Sequence, residues 1–237
     1  ALVPMTGTVT LIGFGEAGST FARAGGWEAD ARAFDIADKA GAYDEAGVSG
    51  CPMLQDAIRE ATLILSVVTA DAALSVAENS VAPDTKRAAA AAIDAAGGRY
   101  VDVAVMAPVN PLRLGVPLYV SGPHAQAGQD ALARLGFTNI RCVGDDVGRA
   151  STIKMLRSVM YKGVEALTAE CLLACEKAGV TDEVLESFGN DWSTGADYRF
   201  DRMLVHGLRR SAEMYESSQT LLSLGISPML TEGTVGW

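Results

Sequence analysis

The chain has 237 residues, enough for one large domain or two modest ones with a real core. Its net charge of −10 argues against nucleic acid as a partner, and its two histidines, His124 and His206, are too few for a histidine-built metal or catalytic cluster. No apolar run reaches the length of a membrane span, and the four cysteines (Cys51, Cys142, Cys171, Cys175) lack zinc spacing, so a soluble cytoplasmic protein with reduced thiols and no metal is expected. The start shows no secretory leader; Met5 reads as the natural first residue, with residues 1–4 a vector remnant.

Thr8-Val9-Thr10-Leu11-Ile12 is a short β-rich run, followed at once by Gly13-Phe14-Gly15-Glu16-Ala17-Gly18 and then a helical stretch. In the order strand, G-x-G-x-x-G, helix, that motif points to dinucleotide binding. Gly13 permits the tight turn, Gly15 lets backbone approach a pyrophosphate, and Gly18 lets helix pack on strand. The helix N-terminus offers its N–H groups to the phosphates. Glu16 suits the helix dipole, with its carboxylate expected to point outward. A second strand over 31–34 ends in Asp35, about twenty residues further on, where an acid can accept hydrogen bonds from both ribose hydroxyls and repel a 2′-phosphate. That favours NAD over NADP. A nucleoside-binding methyltransferase loses ground because its glycine loop usually follows an acid on the first strand, whereas Leu11-Ile12 stand here.

Residues 61–68 form a continuous apolar run, as in a strand covered on both faces. Helices are expected over 71–78 and 84–97, strands over 100–105, 116–121 and 140–143, and a helix over 125–135. Between 143 and 179 the pattern reads as a hinge, loosened by Gly144 and Gly148, and then one helix of roughly 45 Å. Asp145 or Asp146 is the expected cap, and Gly179 the stop. Apolar residues at Ile153, Leu156, Val159 or Met160, Val164, Leu167, Cys171, Ala174 and Ala178 mark its expected buried face. Lys154 lies in its opening turns, where the positive helix end and partial burial would lower the amine's pKa and make it a proton carrier. Everything further on reads as helix: a short one from Thr181 and a long one over 196–224, broken by Gly225 and Pro228. The predicted fold class is therefore α/β: a Rossmann-type parallel sheet domain over 1–147, and an all-α domain over 148–237 joined to it by the long helix.

Three stations in order make the chain resemble the β-hydroxyacid dehydrogenase superfamily, which includes 3-hydroxyisobutyrate and 6-phosphogluconate dehydrogenases. They are the glycine loop at 13–18, Asp102-Val-Ala-Val105 at the opening of a substrate segment, and Gly148-Arg-Ala-Ser-Thr-Ile-Lys154. The resemblance implies hydride transfer between a nicotinamide cofactor and a small 3-hydroxy acid, with Lys154 exchanging the hydroxyl proton. It implies an active site between the two domains, with Val68, Thr69, Asn79 and Ser80 along the nicotinamide half of the cofactor. Val105, Met106, Ala107, Arg157 and Ser158 would meet the substrate, and the C-terminal helices would form a homodimer.

The family's Ser-Gly-Gly is replaced here by Met106-Ala107-Pro108, of which Met106 and Pro108 are expected to form an apolar pocket wall. The asparagine usual four residues after the lysine is Ser158, and the later Lys-Asp pair is absent, the comparable stretch holding Arg209, Arg210 and Glu213. These departures resemble a divergent subgroup with its own C-terminal domain. Arg209 and Arg210 are expected in surface ion pairs, for example with Glu213. The short spacing between Thr69 and Asn79 predicts that residues are missing between Glu78 and Asn79, and Gly236-Trp237 is an abrupt end of the same kind. Two other readings stand beside the main one: an imine reductase, which Lys154 argues against, and a non-catalytic dimeric NAD(P) sensor.

Overall fold

The computed structural model describes residues 8–68, 83–189 and 191–236. Thr69, Asn79, Ser80 and the Glu78–Asn79 junction lie outside the described residues, as do the side chains of His206 and Arg209. The chain divides into two compact units, 1–154 and 155–237.

The first unit opens with strand β1 (Thr8–Ile12), the glycine turn and helix α1 (Glu16–Gly25). Then come β2 (Ala31–Phe34), α2 (Ala40–Ala46), β3 (Ser49–Gly50), α3 (Leu54–Ile58) and β4 (Ala61–Ser66). These strands form one sheet in the order β3-β2-β1-β4, every pair parallel. β1 is central, so its alternating Thr and Val residues are buried from Val9 onward. The Thr10 hydroxyl, fully buried, donates to the Ala57 carbonyl at 2.6 Å, which removes the cost of an unpaired polar group.

Helix α4 (Pro83–Ala95) precedes a second sheet built from β5 (Asp102–Val105), β6 (Leu118–Ser121) and β7 (Ile140–Cys142), with α5 (Ala125–Arg134) between the last two. β6 runs antiparallel to β5 and parallel to β7. One core serves both sheets: Val9, Leu11 and Phe21 pack in the same cluster as Val116, Leu118 and Val120. The Trp27 indole N–H donates to the Leu135 carbonyl at 3.2 Å, and Phe21 meets Phe137 edge-on at 5.0 Å.

Helix α6 (Arg149–Ala178) has 30 residues, begins in the first unit and continues through the second. The second unit adds α7 (Thr181–Phe188), α8 (Asp191–Ser223) and α9 (Met229–Val235). Gly225, at φ +75°, closes α8, and Pro228 caps a further helix that hydropathy alone did not mark. Among the described residues no helix is long and apolar enough to cross a membrane.

Two expectations about burial are overturned. Thr62 and Ile64 on β4 are exposed, so alternate side chains, and not both faces, pack on the core. A run of apolar residues cannot report whether a second layer covers it. The buried side of α6 is also out of phase with its hydropathy. Leu156, Met160 and Leu167 are exposed, while Met155, Lys162, Glu165, Ala166 and Ala169 are buried. The reason is that the packed face carries charges. Lys162 pairs with Glu213, and Glu165 with Arg210, both partners lying on α8. Arg210 is thus buried and bound to Glu165, not in a surface pair with Glu213. Burial pulls its guanidinium below the ordinary value, and the Glu213 carboxylate works against that.

Candidate functional site

The turn from β1 to α1 shows which of its glycines the chain itself requires. Gly13 has φ +89°, and a Cβ there would lie 3.0 Å from the Val67 and Val68 backbone. A Cβ on Gly18 would come within 2.3 Å of the Gly13 carbonyl oxygen. Both positions are therefore fixed by packing of strand, turn and helix. Gly15 differs. Its φ of −77° is open to any residue, and a Cβ there would meet nothing within 4 Å. It is the N-cap of α1, where Ser or Asp would serve the helix as well or better, yet no side chain caps that end. An exposed helix start with no side-chain cap and no atom near the missing Cβ leaves space for something outside the chain.

Asp35 ends β2 beside this turn. Its Oδ2 accepts the Phe14 N–H at 2.6 Å and its Oδ1 accepts the Ala37 N–H at 2.9 Å. Each oxygen keeps a lone pair for another donor. Phe14 itself gives only backbone to the turn. Its ring is buried and packs on Tyr43 at 4.9 Å. Tyr43 was not singled out from the sequence. Burial, and then the Asp35 carboxylate, raise its phenol above the ordinary value. A Cβ on Gly50 would strike the Tyr43 ring at 2.4 Å, so the glycine in β3 is what lets that ring lie there. Glu16 is exposed and turns to Asn110, whose Nδ2 donates to Oε1 at 3.4 Å. That contact joins the first turn of α1 to the segment following β5. Ala17 is partly buried, and Val68 stands next to Gly13.

The second group of candidates surrounds the start of α6. Met106 is buried and packs with Ala104, Ala150 and Ile153. Val105 and Ala107 are partly buried, and Pro108 is exposed. The Asp146 carbonyl accepts the Arg149 N–H at 3.2 Å, and the next two amides of α6 turn to remote side chains. The Ala150 N–H donates to Ser121 Oγ at 3.0 Å, and the Ser151 N–H to Asp102 Oδ2 at 3.1 Å. Local acids lost to remote ones because β5 and β6 bring a buried carboxylate and a hydroxyl directly onto the helix start. Lys154 follows one turn later and is partly buried. Arg157 is exposed with its guanidinium 4.1 Å from the Tyr161 ring centre, and Ser158 is partly buried.

The structure thus gathers Gly13, Phe14, Gly15, Asp35 and Val68 at one end of the parallel sheet, and Glu16 with the loop after β5. It adds Lys86, Ser121 and Ser151, which sequence reasoning missed. No spacing signal links positions so far apart along the chain.

Residues 176–237 match a family described as a domain of unknown function, DUF1932. A conserved hypothetical protein of Sinorhizobium meliloti 1021 is similar over 98% of this chain and 87% of its own, at 37% identity and a TM-score of 0.76. A conserved protein of unknown function, described as structurally similar to 3-hydroxyacid dehydrogenases, shares 30% identity at a TM-score of 0.72, covering 97% of this chain and 94% of that one. The 3-hydroxyisobutyrate dehydrogenase of Salmonella typhimurium shares the fold at 17% identity and a TM-score of 0.74, over 97% and 92% of the two chains.

Proposed function

This chain belongs to the 3-hydroxyacid and 6-phosphogluconate dehydrogenase-like superfamily of NAD(P)-binding Rossmann oxidoreductases, and on that footing we propose that it oxidises and reduces a small 3-hydroxy acid, with Lys154 moving the hydroxyl proton. The observation that carries the reading is Gly15, a glycine that the fold does not need at a helix start open to a phosphate. The glycine turn and Asp35 fit a dinucleotide: the turn offers backbone N–H groups, and the carboxylate is held in place by two backbone amides. When bound, that cofactor supplies the hydride acceptor or donor. In the oxidation direction the neutral Lys154 amine accepts the substrate's O–H proton as the carbon gives up hydride, and in reduction the ammonium returns it. Val105, Met106, Ala107, Arg157 and Ser158 are the proposed substrate contacts, with Arg157 the anchor for a carboxylate. A panel of 3-hydroxy acids followed by NADH absorbance tests the reading; tight NADH binding with no acid oxidised would sink it.

Two effects separate ligand from fold at the glycine turn. Gly15→Ser leaves the urea midpoint unchanged or raised, because Ser suits an N-cap, yet weakens NADH binding at least about tenfold by filling the approach. Gly18→Ala lowers stability by about 1–3 kcal/mol through its overlap with the Gly13 carbonyl. Fluorescence titration of both variants checks the contrast. A Gly15→Ser variant that binds NADH normally would remove the ligand argument.

Asp35 favours NAD over NADP. Asp35→Asn lowers NAD affinity by about 10-fold or more, the worth of a charged hydrogen bond, and narrows the difference between the two nucleotides. Equal affinities in the unaltered protein would refute the preference.

The second unit supports a homodimer. Leu167, Leu204, Met229 and Leu230 are 66–88% exposed, a heavy apolar load to leave in water. Sedimentation at the mass of one chain would contradict it. The four free cysteines fit a reducing compartment such as the cytoplasm.

A further inference from the structure

We infer that Asp102 is a positioning residue for Lys154: one buried carboxylate ties the start of α6 to the strand that leads into the substrate segment, and so sets the lysine against that segment. The inference rests on the proposed role of Lys154.

Asp102 is fully buried. Its Oδ1 accepts the Ser151 hydroxyl at 2.7 Å, and its Oδ2 accepts the Ser151 N–H and the Ser121 hydroxyl, each at 3.1 Å. Ser121 in turn accepts the Ala150 N–H at 3.0 Å. Lys86 Nζ stands 3.7 Å from Oδ1 and is 1% exposed. A carboxylate withdrawn from water needs such partners, since its desolvation is otherwise costly. Here they come from three elements other than its own strand β5: α4, β6 and α6.

No substrate can reach this carboxylate, so its role cannot be to bind one. Its position gives it another. Asp102 opens β5, and Val105 and Met106 follow immediately; Ser151 lies in the first turn of α6, and Lys154 follows one turn on. The negative charge sits at the positive helix end, where it accepts the Ser151 N–H while the hinge serves Arg149 through the Asp146 carbonyl. Between strand and helix, Ala104, Met106, Ala150 and Ile153 close an apolar layer that leaves the turn little freedom. A lysine that passes a proton needs its amine placed within hydrogen-bond reach, and a shift of about 1 Å can cost about a hundredfold in rate.

The test uses the full chain with Ser151→Ala and Asp102→Asn. Three quantities are read: kcat against KM, the NADH dissociation constant, and the rate at which an amine-acylating reagent labels Lys154, followed by peptide mass spectrometry. In both variants we expect kcat to fall at least about tenfold and NADH affinity to stay within about twofold. Lys154 should be labelled at least about threefold faster as its turn loosens. Ser151→Ala keeps the backbone donor to Asp102, so it decides the matter if Asp102→Asn does not fold. Unchanged labelling overturns the inference, even where kcat falls, because the cluster would then act elsewhere. If the unaltered protein oxidises no hydroxy acid, the proposed reaction fails, while the labelling rate still decides whether Asp102 holds Lys154.

Discussion

Replacing Lys154 with methionine is expected to lower kcat for the best 3-hydroxy acid about a thousandfold, within the range that a positioned proton carrier contributes. Methionine keeps the length and apolar stem of the lysine and removes only the titrating amine, so helix packing should be preserved. The glycine turn lies on β1 and α1, whereas Lys154 lies on α6, so the dissociation constant for NADH should move by less than about twofold. The combination is diagnostic. An enzyme that uses Lys154 loses turnover and keeps its nucleotide, and a nucleotide sensor loses neither. An imine reductase would reduce cyclic imines at an unchanged rate without the amine. Turnover within tenfold of the unaltered enzyme would end the assignment of Lys154 as the proton carrier.

The largest effect on stability is expected in the helical unit. Glu165 and Arg210 are 7% and 8% exposed and pair across α6 and α8, next to the Lys162–Glu213 pair. Arg210→Met leaves Glu165 as a buried anion without its partner, and should cost about 3–5 kcal/mol. That is a large share of the roughly 5–15 kcal/mol that holds a domain together. Removing both charges, with Glu165→Leu added, should restore most of the loss, because a well-packed apolar pair avoids the desolvation altogether. Urea unfolding of the single and double variants measures both numbers. If Arg210→Met alone costs less than about 1 kcal/mol, the guanidinium is not the partner that keeps Glu165 charged. The two ion pairs also carry opposite polarity along antiparallel helices. A slip of three residues would set Lys162 against Arg210, so the pairs select one register as well as joining the helices.

The parts of the site legible in the sequence were those encoded by neighbouring residues. Gly13, Gly15 and Gly18 lie on one turn, and a strand before and a helix after them are local properties of the chain. Asp35 was legible because it ends the next strand at a known remove. The 30-residue α6 was legible because its stop and helical character need no partner to be recognised.

The same helix shows where local reading ends. Its buried side was misassigned because hydropathy assumes that charged residues face water, and Lys162 and Glu165 face inward because α8 supplies their counter-charges. Nothing near Met106 in sequence marks its packing against Ala150 and Ile153 of α6, which the fold brings to it. The cap of α6 was sought in Asp145 and Asp146, which stand next to it in sequence. Asp102 and Ser121 stand next to it in space.

Sequence alone determined the order of elements, the glycine turn with its acid, and the place of Lys154 near the head of a long helix, since each depends on contacts within a few residues. Tertiary structure decided which side of that helix is packed, which groups hold its first turn, and that Gly15 is free of steric demand from the fold. Those depend on charges, hydroxyls and empty space contributed by positions dozens of residues apart, and their energies exist only once the chain has closed around them.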